Sequence, residues 1–285
     1  MKLLVTGAQG MLGLALQDQC RLQKILIIPL GKQECDVTNF AQLQKVIQKH
    51  QPTHIINAAA YTKVDLAETE REIAQAINAE GAKYLAEICW SEHIKLLHLS
   101  TDYVFDGKNE QPYLENSPIN PLSIYGKTKA QGEIWVQEKN PDALIIRLQA
   151  LYGENGSHFV QTMLNLSQKY PEVQVVNDQI TSPSYTKHIA KSLLDLLNVS
   201  ASGIFHLHNQ GACSWYEFAR EIFLLTNKST LVLPVSSEQF PRAAPRPLNS
   251  QLAMNKWKQQ NLPPIPHWKE ALQEYINHNH RIEIT

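Results

Sequence analysis

Along the first half of the chain, short apolar runs alternate with longer stretches whose apolar positions recur at helical spacing. Residues 3–5, 25–30, 54–57, 95–100 and 143–147 read as strands. Between them, residues 11–22, 41–50, 67–92 and 124–138 read as helices, and 118–123 as a loop. Strands separated by helices call for a parallel sheet with right-handed crossovers and helices on both faces. The expected class is therefore α/β, a Rossmann-type doubly wound parallel sheet.

Beyond residue 151 the pattern loosens. Residues 158–169, 186–197 and 215–225 keep helical periodicity, and 173–176 reads as a short strand. Residues 204–208 form a late strand able to rejoin the main sheet, and the proline-rich stretch 234–247 reads as an ordered loop or lid. The expected organisation is a nucleotide-binding domain over 1–150 and a smaller, mainly substrate-binding lobe over 151–285, with 177–208 returning to the sheet.

Composition narrows the class. The 285 residues are 43% hydrophobic, enough for one large α/β unit, and the net charge of -1 gives no footprint for nucleic acid. Cys20, Cys35, Cys89 and Cys213 form neither a CxxC pair nor a metal-ligand spacing. The opening apolar run is broken at Gly7, too short for a signal peptide or a membrane span. A cytoplasmic protein that binds neither nucleic acid nor membrane is expected.

The first candidate chemistry lies directly after the first strand, in Gly7-Ala8-Gln9-Gly10-Met11-Leu12-Gly13. In a strand–loop–helix setting the first glycine permits a tight turn and the second lets backbone approach a pyrophosphate. The third lets helix and strand pack closely. The helix N-terminus then meets the anion with free N–H groups. The second strand ends at Leu30-Gly31-Lys32-Gln33, with Asp36 close behind. Lys32 suits a 2′-phosphate and Asp36 the adenine side, or both stand as solvated surface charges. NADPH or NADH is the expected cofactor.

Tyr125 and Lys129 are four residues apart on a predicted helix and share a face. A phenol is a ready proton donor at neutral pH, and an adjacent ammonium is expected to lower its pKa by about 1–3 units. Ser100-Thr101-Asp102-Tyr103 closes the preceding strand at the edge where such sheets bind ligands. Thr101 can there share a substrate carbonyl with Tyr125, unless it merely caps the strand end. Together the three residues suit ketone reduction, in which an acid protonates the alkoxide that forms as hydride arrives.

These motifs resemble the extended short-chain dehydrogenase/reductase family, and within it the dTDP-4-dehydrorhamnose reductase branch. The likeness runs through Val5-Thr6-Gly7, Asn57-Ala58-Ala59-Ala60-Tyr61-Thr62-Lys63-Val64-Asp65 and Ala76-Ile77-Asn78. It continues in Leu99-Ser100-Thr101-Asp102-Tyr103-Val104-Phe105-Asp106-Gly107 and Pro121-Leu122-Ser123-Ile124-Tyr125-Gly126-Lys127-Thr128-Lys129. It ends in Asn177-Asp178-Gln179, Gly203-Ile204-Phe205-His206-Leu207 and Arg246-Pro247-Leu248-Asn249-Ser250.

The resemblance implies catalysis by Thr101, Tyr125 and Lys129. It implies a cofactor site of Gly7, Gln9, Gly10, Met11, Leu12, Gly13, Asp36, Val37, Ala58, Ala59, Ala60, Tyr61, Asn78, Tyr125 and Lys129. Thr101, Asp102, Tyr103, Phe105, Tyr125 and Arg246 would meet a dTDP-linked keto sugar. Asp65 and Glu68 fall where the branch has a Val-Asp-x-Ala-Glu segment near the active site, as substrate contacts or as helix-terminal acids. Bland alternatives stand beside others: packing for the alanines, Tyr103 and Phe105, and a surface charge for Arg246. The implied reaction is reduction of the 4-keto group of dTDP-4-dehydro-6-deoxy-L-mannose. A related nucleotide-sugar reductase or epimerase is the alternative, and a regulatory subunit like the β subunit of methionine adenosyltransferase a more distant one.

Two departures from that branch bear on the site. Ala150 stands where many members carry an aromatic residue thought to meet the sugar. Ala15 and Lys187 stand where some members carry glutamates that bind magnesium at a dimer interface. Neither side chain offers an anionic oxygen, so no metal is expected, and a homodimer remains possible without that support.

Overall fold

The computed structural model describes residues 1–282, with side chains to residue 278. In chain order the elements begin β1 (Lys2–Thr6), α1 (Met11–Leu22), β2 (Leu26–Leu30), α2 (Phe40–His50) and β3 (His54–Asn57). α3 (Arg71–Gln75), α4 (Gly81–Ser91), β4 (Lys95–Thr101), α5 (Ile124–Lys139) and β5 (Leu144–Leu148) follow. Next come β6 (Leu151–Tyr152), α6 (Phe159–Ser167), β7 (Glu172–Val176), β8 (Ile180–Thr181), β9 (Ser184–Tyr185), α7 (Thr186–Leu197) and β10 (Gly203–His206). The chain closes with β11 (Cys213–Ser214), α8 (Trp215–Leu225), β12 (Leu231–Val235), α9 (Asn255–Gln259) and α10 (Trp268–Ile282).

Six parallel strands form the central sheet in the order β10-β5-β4-β3-β1-β2. Strand order reverses between β1 and β3, which opens a crevice at their C-terminal ends. Side chains alternate across each strand, so one face buries Leu3, Val5, Ile56, Leu97 and Ile146 under α1 and α7. The opposite face buries Leu4, Ile55, Leu96 and Ile145 under α2, α4 and α5. Pro29, which cannot donate to a ladder, is tolerated because β2 is an edge strand.

β10 pairs with β5 and α7 packs on α1, so the late segment is part of the sheet layers. A second core gathers Tyr152, Tyr185, Phe218, Trp268 and Tyr275 among α6, α8, α10 and the parallel pair β7–β12. The proline-rich stretch departs from the expected loop at its start, where Pro234 and Val235 complete β12. α9, α10 and the first residues of β12 had no counterpart in the sequence reading.

The expected single helix over 67–92 is broken. Leu66–Glu68 form a 3-10 turn, and between α3 and α4 lies a π-helical turn, Ala76–Glu80. The π turn brings the Asn78 carbonyl against Gly132 of α5, where a Cβ would sit 2.3 Å away. Close approach of two helices, rather than local propensity, accompanies the distortion.

Candidate active site

A cleft of about 670 Å³ runs along the C-terminal edge of the sheet. The glycine loop forms its floor. Gly7 has φ +63, and a Cβ there would meet Ala59 N at 2.6 Å. Gly13 is equally tight against Ala8, at 2.6 Å. Gly10 caps α1 without a side-chain cap, and no acid occupies the helix's first turn. Free N–H groups and the positive end of the helix dipole therefore face the cleft, an arrangement that fits a pyrophosphate.

Gly7, Gly10, Met11, Leu12, Gly13, Asp36, Val37, Ala58, Ala59 and Ala60 all line this cleft, and so does Lys32. The Asp36 carboxylate accepts bonds from Thr38 N at 3.0 Å and Thr38 Oγ1 at 2.7 Å. Three residues of the expected cofactor set do not line the cleft. Gln9 is exposed, with its side-chain amide over Gly31. Tyr61 is buried and donates from its hydroxyl to Glu70 at 2.6 Å. Asn78 accepts from Tyr61 N at 2.8 Å and donates to Thr128 Oγ1 at 3.1 Å, which ties the cleft wall to α5.

Thr101, Asp102, Tyr103, Tyr125 and Lys129 converge on the same cleft. β4 ends at Thr101, and the cap of α5 by Ser123, whose Oγ accepts from Gly126 N at 3.1 Å, starts the helix one residue before Tyr125. Thr101 and Tyr125 both face the cleft, and the Thr101 hydroxyl donates to Asp102 Oδ1 at 3.1 Å. Tyr103 packs edge-on against the Tyr125 ring, with centroids 5.5 Å apart. Lys129 is 2% exposed and donates to the Leu99 carbonyl at 2.5 Å.

Electrostatics at the pair differ from the expected lowering of the phenol's pKa. Loss of solvent around Tyr125 pushes its pKa up to about 12, with Thr101 opposing and Asp102 adding to the shift. Burial drives Lys129 down to about 8, partly offset by Glu133. Desolvation outweighs attraction because Lys129 points at the Leu99 carbonyl. The phenol therefore stays protonated, as an acid must. Burial also raises the Asp102 carboxyl to about 6, against hydrogen bonds from Ser250 and Thr101.

Two expected substrate residues are placed differently. Phe105 is fully buried and stacks on Tyr113 at 4.1 Å, so it supports the site from the core. Arg246 makes a bidentate pair with Asp65, at 3.0 and 2.9 Å, and does not itself line the cleft, although its charge lies near Tyr103, which does. Ala150 lines the cleft in the left-handed region at φ +43. Ala15 is buried on α1, and the Lys187 ammonium contacts Glu274 at 2.6 Å. Among the described residues no cluster of three or more His, Cys, Asp or Glu could hold a metal ion. None of the helices searched there is long and apolar enough to cross a membrane.

The sequence reading missed several parts. Gly156 and Ser157 close over the loop near Met11, and Ser100, Gln149 and Leu151 add to the lining. Behind Thr101, Ser100 Oγ donates to Glu133 at 2.5 Å, and Glu133 holds Arg147 by three hydrogen bonds of 2.7–3.2 Å. That pair is 2% exposed on both sides, and the Arg147 guanidinium also lies 4.9 Å from the Phe105 ring. Only the apolar-looking strand around Arg147 offered a hint, as a charge in such a strand needs a buried partner.

A phenol and an ammonium facing a dinucleotide cleft at a sheet's switch point define a nicotinamide-dependent oxidoreductase of the short-chain dehydrogenase/reductase class. Within that class the chain belongs to the RmlD substrate binding domain family, whose model matches residues 1–281. It is 40% identical to the spore coat polysaccharide biosynthesis protein SpsK of Bacillus subtilis over 96% of each chain. It is 38% identical to a dTDP-4-keto-6-deoxy-D-glucose reductase of Streptomyces niveus over 94% of each. The crystal structure of dTDP-4-dehydrorhamnose reductase from Bacillus anthracis in complex with NADP superposes with a TM-score of 0.94 at 40% identity, covering 98% of this chain and 100% of that one.

Proposed function

We propose that this chain is a cytoplasmic reductase that converts dTDP-4-dehydro-6-deoxy-L-mannose to dTDP-L-rhamnose with NADPH or NADH. The observation that carries the reading is the meeting of Thr101, Tyr125 and Lys129 in the cleft floored by the glycine loop. When bound, the reduced nicotinamide supplies the hydride. Thr101 and Tyr125 would hold the 4-keto oxygen between two hydroxyls, and the Tyr125 phenol would give it a proton. Lys129, fixed by the Leu99 carbonyl, would orient the ribose and place a positive charge beside the phenolate that results. Lys32, at the cleft's adenosine end, favours a cofactor carrying a 2′-phosphate.

Residues 1–150 would supply the cofactor side and the groups at the reacting carbonyl, and the lobe beyond 151 with Arg246 would supply the rest of the sugar-nucleotide side. A second reading, a neighbouring 4-keto sugar as substrate, draws on Ala150, whose methyl offers no aromatic surface to a sugar ring. The test supplies purified protein with each 4-keto sugar nucleotide and NADPH or NADH, and follows cofactor absorbance. Oxidation with the L-mannose derivative is expected, as is a fall of about 10²–10⁴ in kcat for Tyr125→Phe with cofactor binding retained. No oxidation by folded, NADPH-binding protein would overturn the reading.

A further inference from the structure

We propose that Glu68 is a positioning residue for Tyr125: from the turn after β3, its carboxylate holds the first N–H of α5 and so sets where the phenol stands against Thr101. The proposal rests on the reductase reading of the site, and it names a part of that site outside the cleft lining. The Ile124 N–H donates to Glu68 Oε1 at 2.8 Å, across 56 residues of sequence. Ile124 is the first residue of α5 and Tyr125 the second.

Local sequence already caps this helix through Ser123, which takes the Gly126 N–H at 3.1 Å. Glu68 satisfies a different N–H, and it does so from another element. A local cap moves with its helix, whereas a cap delivered from elsewhere fixes the helix to the rest of the molecule. The same turn also packs against the pair. Ala67 is fully buried with Tyr61 and Ala74, and Ile124 and Tyr125 lie against that cluster.

The turn is itself anchored at its other end. Asp65 accepts from Ala244 N at 3.1 Å and from Arg246 at 3.0 and 2.9 Å. Asp65 to Glu68 therefore spans from the 244–246 loop at the cleft's rim to the helix that carries the acid. Further along α5, Thr128 donates to the Tyr125 carbonyl at 3.0 Å and receives Asn78 at 3.1 Å. That second hold steadies the helix against unfolding, so loss of Glu68 should shift the first turn without melting it.

The test compares Glu68→Ala and Glu68→Gln with wild type in steady-state reduction, together with amide hydrogen exchange over residues 124–126. Glu68→Ala should lose about tenfold in kcat, because small misplacements of a reacting group are costly, while KM for NADPH stays within about twofold. Glu68→Gln keeps a carbonyl acceptor and should recover kcat to within about threefold of wild type. The Ile124 amide should exchange faster in Glu68→Ala alone. Wild-type kcat in Glu68→Ala, or equal loss in both variants, overturns the assignment, as does a lowered Tm with kcat unchanged. If wild type itself reduces no keto sugar, the proposed function fails, and exchange at Ile124 decides the positioning role: unaltered exchange in Glu68→Ala overturns it.

Discussion

At the scale of single residues, the site turns on where two protons sit. Tyr125, pushed up to about 12, keeps its proton through the physiological range. Lys129, pushed down to about 8, keeps its proton at neutral pH and begins to lose it just above. Reduction needs the ammonium, so kcat/KM, which reports the free enzyme, should fall as pH rises through about 8. Titration of the phenol lies too high to contribute there. Unfolding does not supply this decline either. Lys129 has a folded pKa below its ordinary 10.5, so between about 8 and 10.5 the unfolded chain binds more protons. In that window the group's contribution to stability rises with pH. A pH profile of kcat/KM, with the circular dichroism of the same samples, checks both statements. A flat kcat/KM from pH ~7 to ~10 would remove Lys129 from its role.

At the scale of elements, the two front glycines of the loop do different work, and substitution separates them. Gly7 combines φ +63 with backbone of Ala58 and Ala59 within 2.7 Å of a Cβ. Gly7→Ala is therefore expected to cost about 2 kcal/mol or more of stability, from the left-handed backbone and the displaced β3 loop. Gly10 has φ -75, and a Cβ there would meet only the Gly7 carbonyl, at 3.3 Å. Gly10→Ala should leave the denaturation midpoint nearly unchanged yet weaken NADPH binding, since the methyl occupies the approach to the pyrophosphate. Equal effects of the two variants on stability would contradict this division.

Legibility follows the same divide between local and distant causes. Helices α1, α7 and α8 and strand β3 carry their signals within one stretch of chain, and the sequence placed their ends where the structure does. That Thr101, Tyr125 and Lys129 share one cleft was legible because strand end and helix face are local patterns. The break in 67–92 was not, since the π turn lies where Asn78 closely approaches Gly132, which sits on another helix. The hold of Glu68 on Ile124 and the Glu133–Arg147 pair stayed hidden for that reason too, although the resemblance had put Glu68 near the site: each acts through a partner that only the fold brings near. Arg147 looks misplaced in an apolar strand until its guanidinium is seen to find Glu133, the Glu115 carbonyl and His206.

At the scale of the whole molecule, the cleft is closed by residues from both halves of the chain. Arg246 and Asp65 meet across 181 residues, and the arginine's charge also lies near Tyr103, the ring packed against Tyr125. Asp65 is only half-buried, with its side chain 39% exposed, so removing Arg246 leaves no charge stranded in the core. Arg246→Ala should therefore change stability by less than about 1 kcal/mol. Its effect should fall on the sugar nucleotide, whose diphosphate is the strongest acceptor a guanidinium at this rim could meet. Charge-assisted hydrogen bonds of that kind contribute about 1.5–3 kcal/mol, which predicts a rise of about 10–100-fold in KM for the sugar nucleotide. Affinity for NADPH should stay near wild type, because Arg246 is held by Asp65 and is not among the residues that line the cleft around the glycine loop. Steady-state kinetics with varied sugar nucleotide, beside direct NADPH titration, separates the two. If KM holds and NADPH affinity falls, Arg246 belongs to the cofactor side, and the division of labour between the halves is drawn in the wrong place.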